Sequence, residues 1–316
     1  MRRPWTRATL LATLTLALLA AASGAGAADP GGAPTITAAT LSGPVEPSTG
    51  YSGHGPSAPA PARPTEVEPT AAESIVAGAE SVIGDDERER VDATTTYPNS
   101  AVGHLELDEG GQSYLCSGFL IDDNSVLTSA HCAYTETGDT PNLIDSATFA
   151  PGRNRDVDPY GRCDVESAWA PDEYRLNGTV AFDFAVLNLA DGCDAIGAET
   201  GTFGLFARSG SYAQVRATVQ GYPGEAVFGT QKRMRGKLFR SQKRLVYYPM
   251  DTTGGQSGSP VWKQKASGDC VGPCGLAVHG YGTDAGSAGV WHDNNAGIRL
   301  TPFRIGQILD IAGQND

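Results

Sequence analysis

The sequence predicts an all-β protein closed by one C-terminal helix and preceded by a long leader. Three observations carry this prediction. From Val91 onward, short apolar or alternating runs are separated by Gly, Asn, Asp and Pro, the rhythm of strands and turns in a sandwich or barrel. Only the last stretch keeps helical spacing. Nine of the twenty prolines crowd into residues 29–80, which hold one aromatic residue (Tyr51) and no cysteine.

Taken in order, Arg2, Arg3 and Arg7 precede an apolar stretch over 10–22, and small residues at 25–28 offer a cleavage site. Residues 1–28 are therefore expected to be a secretory signal, too short for a comfortable membrane span. Residues 29–80 are expected to be a disordered pro-segment, because such a composition cannot bury enough apolar surface to offset its ordering entropy. Strands are expected within 101–107, 114–121, 180–189, 214–221, 245–250 and 276–281. At the end, Thr301 and Pro302 suit an N-cap and first helical position, and Ile305, Ile308, Leu309 and Ala312 share one helical face.

All six cysteines lie in 81–316, and export with an even count implies three disulfides, with fifteen pairings open. That length suits one large domain or two lobes sharing a core. A net charge of −13 argues against nucleic acid or anionic membrane as a partner. No cluster with metal-ligand spacing is visible, so neither metal nor cofactor is expected. The acidic loops around Asp156 and Asp158, and around Asp85, Asp86 and Glu87, leave room for a structural calcium.

The chemistry concentrates in Asp251-Thr252-Thr253-Gly254-Gly255-Gln256-Ser257-Gly258-Ser259-Pro260. A serine between glycines suits a nucleophile on a tight turn, where successive amides can hold an oxyanion. His131, beside Cys132, which lies sixteen residues after Cys116, is the candidate general base. Asp183 interrupts an apolar run, where a carboxylate is costly unless hydrogen-bonded; holding a histidine Nδ1–H is its obvious use. The order His131, Asp183, Ser257 is that of the chymotrypsin type.

Thr128-Ser129-Ala130-His131-Cys132, Asp183-Phe184-Ala185-Val186-Leu187 and Gly255-Gln256-Ser257-Gly258-Ser259-Pro260 resemble the signature segments of trypsin-like serine proteases. Ser81-Val82-Ile83-Gly84-Asp85-Asp86, Gly221-Tyr222-Pro223-Gly224 and Cys270-Val271-Gly272-Pro273-Cys274-Gly275-Leu276-Ala277-Val278-His279 resemble the bacterial glutamyl endopeptidase branch. The likeness covers essentially all of 81–316. It implies two six-stranded antiparallel β-barrels with the site between them, a catalytic triad of His131, Asp183 and Ser257, and oxyanion amides from Gly255 and Ser257. It also implies the pairs Cys116–Cys132 and Cys270–Cys274, leaving Cys163 with Cys193.

Two specificities compete. Asp251 stands where trypsin binds Arg or Lys. Against this, Thr253 replaces a pocket cysteine, Gln256 replaces the activation aspartate, and His279 replaces a small apolar residue. The glutamyl branch carries Thr and His at the positions of Thr252 and His279, whose hydroxyl and imidazole N–H can donate to a substrate carboxylate. Gly280, Tyr281 and Gly282 are expected to pair with the substrate backbone. The Glu80–Ser81 bond lies where the resemblance begins, so a glutamyl-specific enzyme could remove its own leader. The expectation is a secreted, monomeric serine endopeptidase with polypeptide substrates. An inactive protease-fold binding module is the rival, and it predicts loss of a triad residue.

Overall fold

The computed structural model of the protein describes residues 35–58, 65–66, 82–135, 141–264, 270–283 and 293–313. The expected signal region, the Glu80–Ser81 bond and His292 lie outside the described residues.

The first lobe comprises β1 (Val102–Glu109), β2 (Gln112–Leu120), β3 (Ser125–Thr128), β4 (Ser146–Pro151), β5 (Cys163–Trp169) and β6 (Ala185–Leu189). Gly110 and Gly111, at φ 60° and 79°, make the tight turn that joins β1 to β2. The strands run antiparallel in the order β5-β4-β1-β2-β3-β6, and β6 pairs back onto β5 to close a six-stranded barrel. Phe119, Phe149, Trp169 and Phe184 are buried in its core.

The second lobe comprises β7 (Arg216–Gly221), β8 (Lys232–Lys237), β9 (Leu245–Tyr248), β10 (Pro260–Lys263), β11 (Cys274–Tyr281) and β12 (Asn295–Arg299). Its order is β9-β12-β11-β10-β7-β8. Here β8 runs on through Leu238 and Phe239 into Arg240–Ser241, which pairs with β9. The circuit is thus completed by chain continuity instead of a ladder between neighbouring strands. Val219, Val246, Tyr248, Val261 and Leu276 fill this core. The architecture is the all-β, chymotrypsin-like one with a C-terminal helix.

That helix spans Pro302–Ala312; the Thr301 hydroxyl accepts from the Arg304 amide, and Ile305, Ile308 and Ile311 are buried. Three cystines form, Cys116–Cys132, Cys163–Cys193 and Cys270–Cys274. Among the described residues, no helix is long and apolar enough to cross a membrane.

Two expectations need correcting. The run 180–189 is not one strand: Val180–Phe182 is a 3-10 turn, and the strand begins at Ala185. The break lets Asp183 leave the ladder and point its carboxylate elsewhere. Residues 35–58, expected to be disordered, lie ordered against the domain, with Thr37–Ala38 alongside Ser167 and Ala168 of β5 and Gly50–Tyr51 paired with Leu205 and Phe206. Composition measures what a segment can bury by itself; this one borrows the domain's surface, and its Ile36 is only 4% exposed.

Candidate active site

His131 sits in the short 3-10 turn Ala130–Cys132 and is tethered through Cys132 to Cys116 of β2. Its Nδ1 lies 2.7 Å from Asp183 Oδ2, and its backbone amide donates to Asp183 Oδ1 at 2.9 Å. Asp183 is fully buried, and a carboxylate accepts only, so the ring carries its proton on Nδ1. Nε2 is thereby the nitrogen left able to take a proton.

Ser257 is half-buried in the loop between β9 and β10. That loop is clamped by Ser117 of the opposite lobe. Ser117 donates its amide to the Ser257 carbonyl at 2.8 Å and its hydroxyl to the Gly255 carbonyl at 2.9 Å. Gly255 and Gly258 adopt φ of 91° and 85°, the left-handed region that favours glycine. A Cβ on Gly258 would lie 2.0 Å from the Ser117 carbonyl oxygen, and one on Gly255 would lie 2.7 Å from the Tyr222 carbonyl. The Gly221-Tyr222-Pro223-Gly224 turn therefore backs the loop, and Gly224 donates to the Gly254 carbonyl at 2.7 Å. Among the described residues, the amides of Gly255 and Ser257 are left unused by the protein's own acceptors.

The carbonyl of His279 joins the two halves. It accepts from the Gly258 amide, next to Ser257, and from the Ser129 hydroxyl, two residues before His131, both at 2.8 Å. Gly280 follows at a bulge of β11, and a Cβ there would sit 3.3 Å from Asp183 Oδ2. The structure thus brings His131, Asp183, Ser257, His279 and Gly280 into one neighbourhood. The Tyr281 ring lies 6.0 Å from the His131 ring, and Gly282 follows at the partly exposed end of β11.

Thr252 and His279 are both buried. The Thr252 hydroxyl has no partner among the described residues. His279 Nδ1 lies 2.7 Å from the Tyr248 hydroxyl. Burial, with a smaller contribution from His131, holds the His279 pKa down to about 3, so the ring stays neutral above that. Burial also raises the Tyr248 pKa well above its ordinary value, so the phenol keeps its proton and can donate to Nδ1 or accept from it. The Ala296 backbone is a further hydrogen-bond partner of the ring.

Asp251 does not stand open in the pocket. Its Oδ1 accepts from the Ile83 amide at 2.8 Å and its Oδ2 from the Glu87 amide at 3.0 Å, and the residue is 1% exposed. The carboxylate needed to bind Arg or Lys is bonded to this chain's own backbone.

Composition and motif spacing overlooked Arg88. Its guanidinium, buried beside the Ser257 loop, donates to Thr253 Oγ1 and Gln256 Oε1 at 2.8 Å each, and pairs with Asp86 at 2.8 Å and Glu225 at 2.5 Å. The only signal for it was an arginine directly following Asp85-Asp86-Glu87. In these loops Asp86 is paired with Arg88 and Lys232, and Asp158 with Arg153 and Arg162. His104, in β1, is a buried residue packed on the Tyr222 and Phe228 rings.

A family model described as a trypsin-like peptidase domain matches residues 116–272, a stretch containing His131, Asp183 and Ser257. The chain is 38% identical over 224 residues to a glutamyl endopeptidase of Bacillus licheniformis, covering 70% of this chain and 66% of that protein. It is 30% identical over the same length to a Bacillus subtilis protein named extracellular metalloprotease, again spanning 66% of it. A solved structure of a Glu endopeptidase in complex with MPD superposes with a TM-score of 0.61 at 27% identity, over 72% of this chain and 97% of that one.

Proposed function

The chain belongs to the trypsin-like, chymotrypsin-fold serine peptidases, and from that premise we propose that it is a secreted serine endopeptidase cutting polypeptides after glutamate. The observation that carries the catalytic part is the double bond-hold of Asp183 on His131, by backbone amide and by Nδ1. In this reading His131 Nε2 takes the Ser257 hydroxyl proton as Oγ attacks the substrate carbonyl. The oxyanion receives the Gly255 and Ser257 amides, and the buried Asp183 carboxylate stabilises the imidazolium. His131 then protonates the leaving amine, and water, activated by the same nitrogen, hydrolyses the acyl-enzyme.

The specificity part rests on two neutral donors. The Thr252 hydroxyl, unpartnered among the described residues, and a ring N–H of neutral His279 both suit a carboxylate side chain. Gly280, Tyr281 and Gly282 would align the substrate backbone as an added strand. Comparing kcat/KM on peptides that differ only in Glu, Asp, Arg or Leu before the scissile bond tests this; a preference for Arg would overturn it. Labelling by a serine-directed phosphonate, lost in Ser257→Ala, separates the enzyme from an inactive binding module.

The processing scheme is part of the same proposal: signal over 1–28, leader over 29–80, protease domain over 81–316, with the enzyme itself cutting Glu80–Ser81. N-terminal sequencing of a Ser257→Ala chain, produced without other proteases, should find the leader still attached.

A further inference from the structure

We propose that the protease domain carries a second peptide-binding site, remote from the Ser257 cleft, whose ligand is its own leader, residues 35–58, and that the leader stays docked there after it is cut. The idea rests on the reading of 29–80 as a removable leader; the docking surface itself is independent of which enzyme does the cutting.

The leader follows one continuous track across both lobes. It starts on the first barrel, where Ile36 is buried in the core cluster, Thr37–Ala38 lies parallel to β5, and the Ala39 amide donates to the Ala168 carbonyl at 2.8 Å. It then crosses the C-terminal helix. The Ser42 amide and hydroxyl both donate to Asp310, at 3.0 and 2.8 Å, and the Ser48 amide donates to the Pro302 carbonyl at 2.8 Å. On the second lobe it adds a strand: Gly50–Tyr51 pairs with Gly204–Phe206, which itself runs beside the start of β11. His54 makes a two-way exchange, its amide to the Thr202 hydroxyl at 3.1 Å and its carbonyl from the Thr202 amide at 2.8 Å, and the Ser57 and Ala58 amides then donate to the Ala198 carbonyl at 2.7 and 2.8 Å.

The domain side is shaped for this ligand. Gly306 lies inside the C-terminal helix, where glycine is unfavourable by about 1 kcal/mol relative to alanine. A Cβ at Gly306 would fall 2.0 Å from the Glu46 carbonyl oxygen of the leader. A Cβ at Gly204 would fall 2.4 Å from the Tyr51 carbonyl oxygen, and also 2.5 Å from Cys270 Sγ. Outside the helix's own backbone, the three atoms nearest the Cβ at Gly306 all belong to Val45 and Glu46 of the leader. A helix glycine whose absent side chain is replaced by leader backbone is a receptor feature. Among the described residues, the anchors Ala168, Asp310, Pro302, Leu205 and Thr202 all lie outside the candidate active site, so the docked leader straps the lobes together without occupying the cleft.

The test uses the full chain carrying Ser257→Ala, with residues 70–76 replaced by the recognition sequence of an unrelated cysteine protease. After cutting in trans, size-exclusion chromatography with mass spectrometry should find the leader eluting with the domain. Stripping the leader should lower Tm by about 5 °C or more. Gly306→Ala should leave the domain folded yet release the leader. A synthetic 35–58 peptide should rebind the stripped domain saturably, and the Gly306→Ala domain at least about 10-fold more weakly. Leader lost from the unmutated domain on cutting, or equal binding by both domains, overturns the proposal. Failure of Glu80–Ser81 self-cleavage, read separately in the Ser257-containing chain, would leave these outcomes unaffected.

Discussion

At Asp183 one carboxylate serves two donors of the same residue, and the two can be separated by mutation. Asp183→Asn keeps an acceptor for the His131 amide but offers an N–H toward Nδ1, which forces the other tautomer. We expect Tm to change little and kcat to fall about 10⁴-fold, read with peptide turnover and calorimetry on the same preparation. His279 makes a related case with a different readout. Its Nδ1 is hydrogen-bonded to the Tyr248 hydroxyl at 2.7 Å. Tyr248→Phe should cut kcat/KM about 10-fold for glutamyl peptides and leave a poor leucyl peptide near its original rate. An equal loss on both would place Tyr248 in the packing alone.

Among the elements, the loop carrying Ser257 is held from two sides that sequence reading valued very differently. The glycines flanking Ser257 are legible, since a nucleophile turn needs φ > 0 and the structure has it. Ser117 is not legible: an ordinary serine in Cys116-Ser117-Gly118 acquires its meaning only when β2 is laid against the second lobe. Arg88 is hidden for the same reason, because its partners Thr253, Gln256 and Glu225 are far along the chain. Strands with alternating or apolar runs, such as β1 and β11, could be seen from pattern, whereas the basic Lys-Arg-Met-Arg-Gly-Lys of β8 has no strand signature of its own. Its place comes from pairing with β7. The leader's order was illegible because its partners are in the domain. Ser117→Ala should lower kcat about 10-fold with little change in KM, since it loosens the reacting group without touching substrate. A shift in KM instead would move Ser117 into binding.

For the molecule as a whole, two buried histidines contribute to the acid limit. Burial lowers the pKa of His104 and, to about 3, that of His279, against an unfolded value near 6.5. Between pH 6.5 and 3 the unfolded chain binds more protons at His279, so stability falls as the pH drops, by up to about 1.4 kcal/mol per pH unit, and His104 acts in the same direction. Urea unfolding of the Ser257→Ala chain at pH 7, 6, 5 and 4 should show this decline, and His279→Gln should flatten it. The second barrel adds a further property. Among the described residues its circuit is completed through Leu238 and Phe239, where a few backbone bonds join Gln214, Val215 and Tyr247, and we expect local opening there. For an endopeptidase of the proposed activity, the composition of this seam bears on its resistance to its own kind. The stretch from Lys232 through Arg244 contains seven lysines and arginines and not one acidic residue. Under the proposed glutamyl specificity, neighbouring copies would meet nothing to cleave there, whereas a trace of trypsin should nick the chain at this seam first.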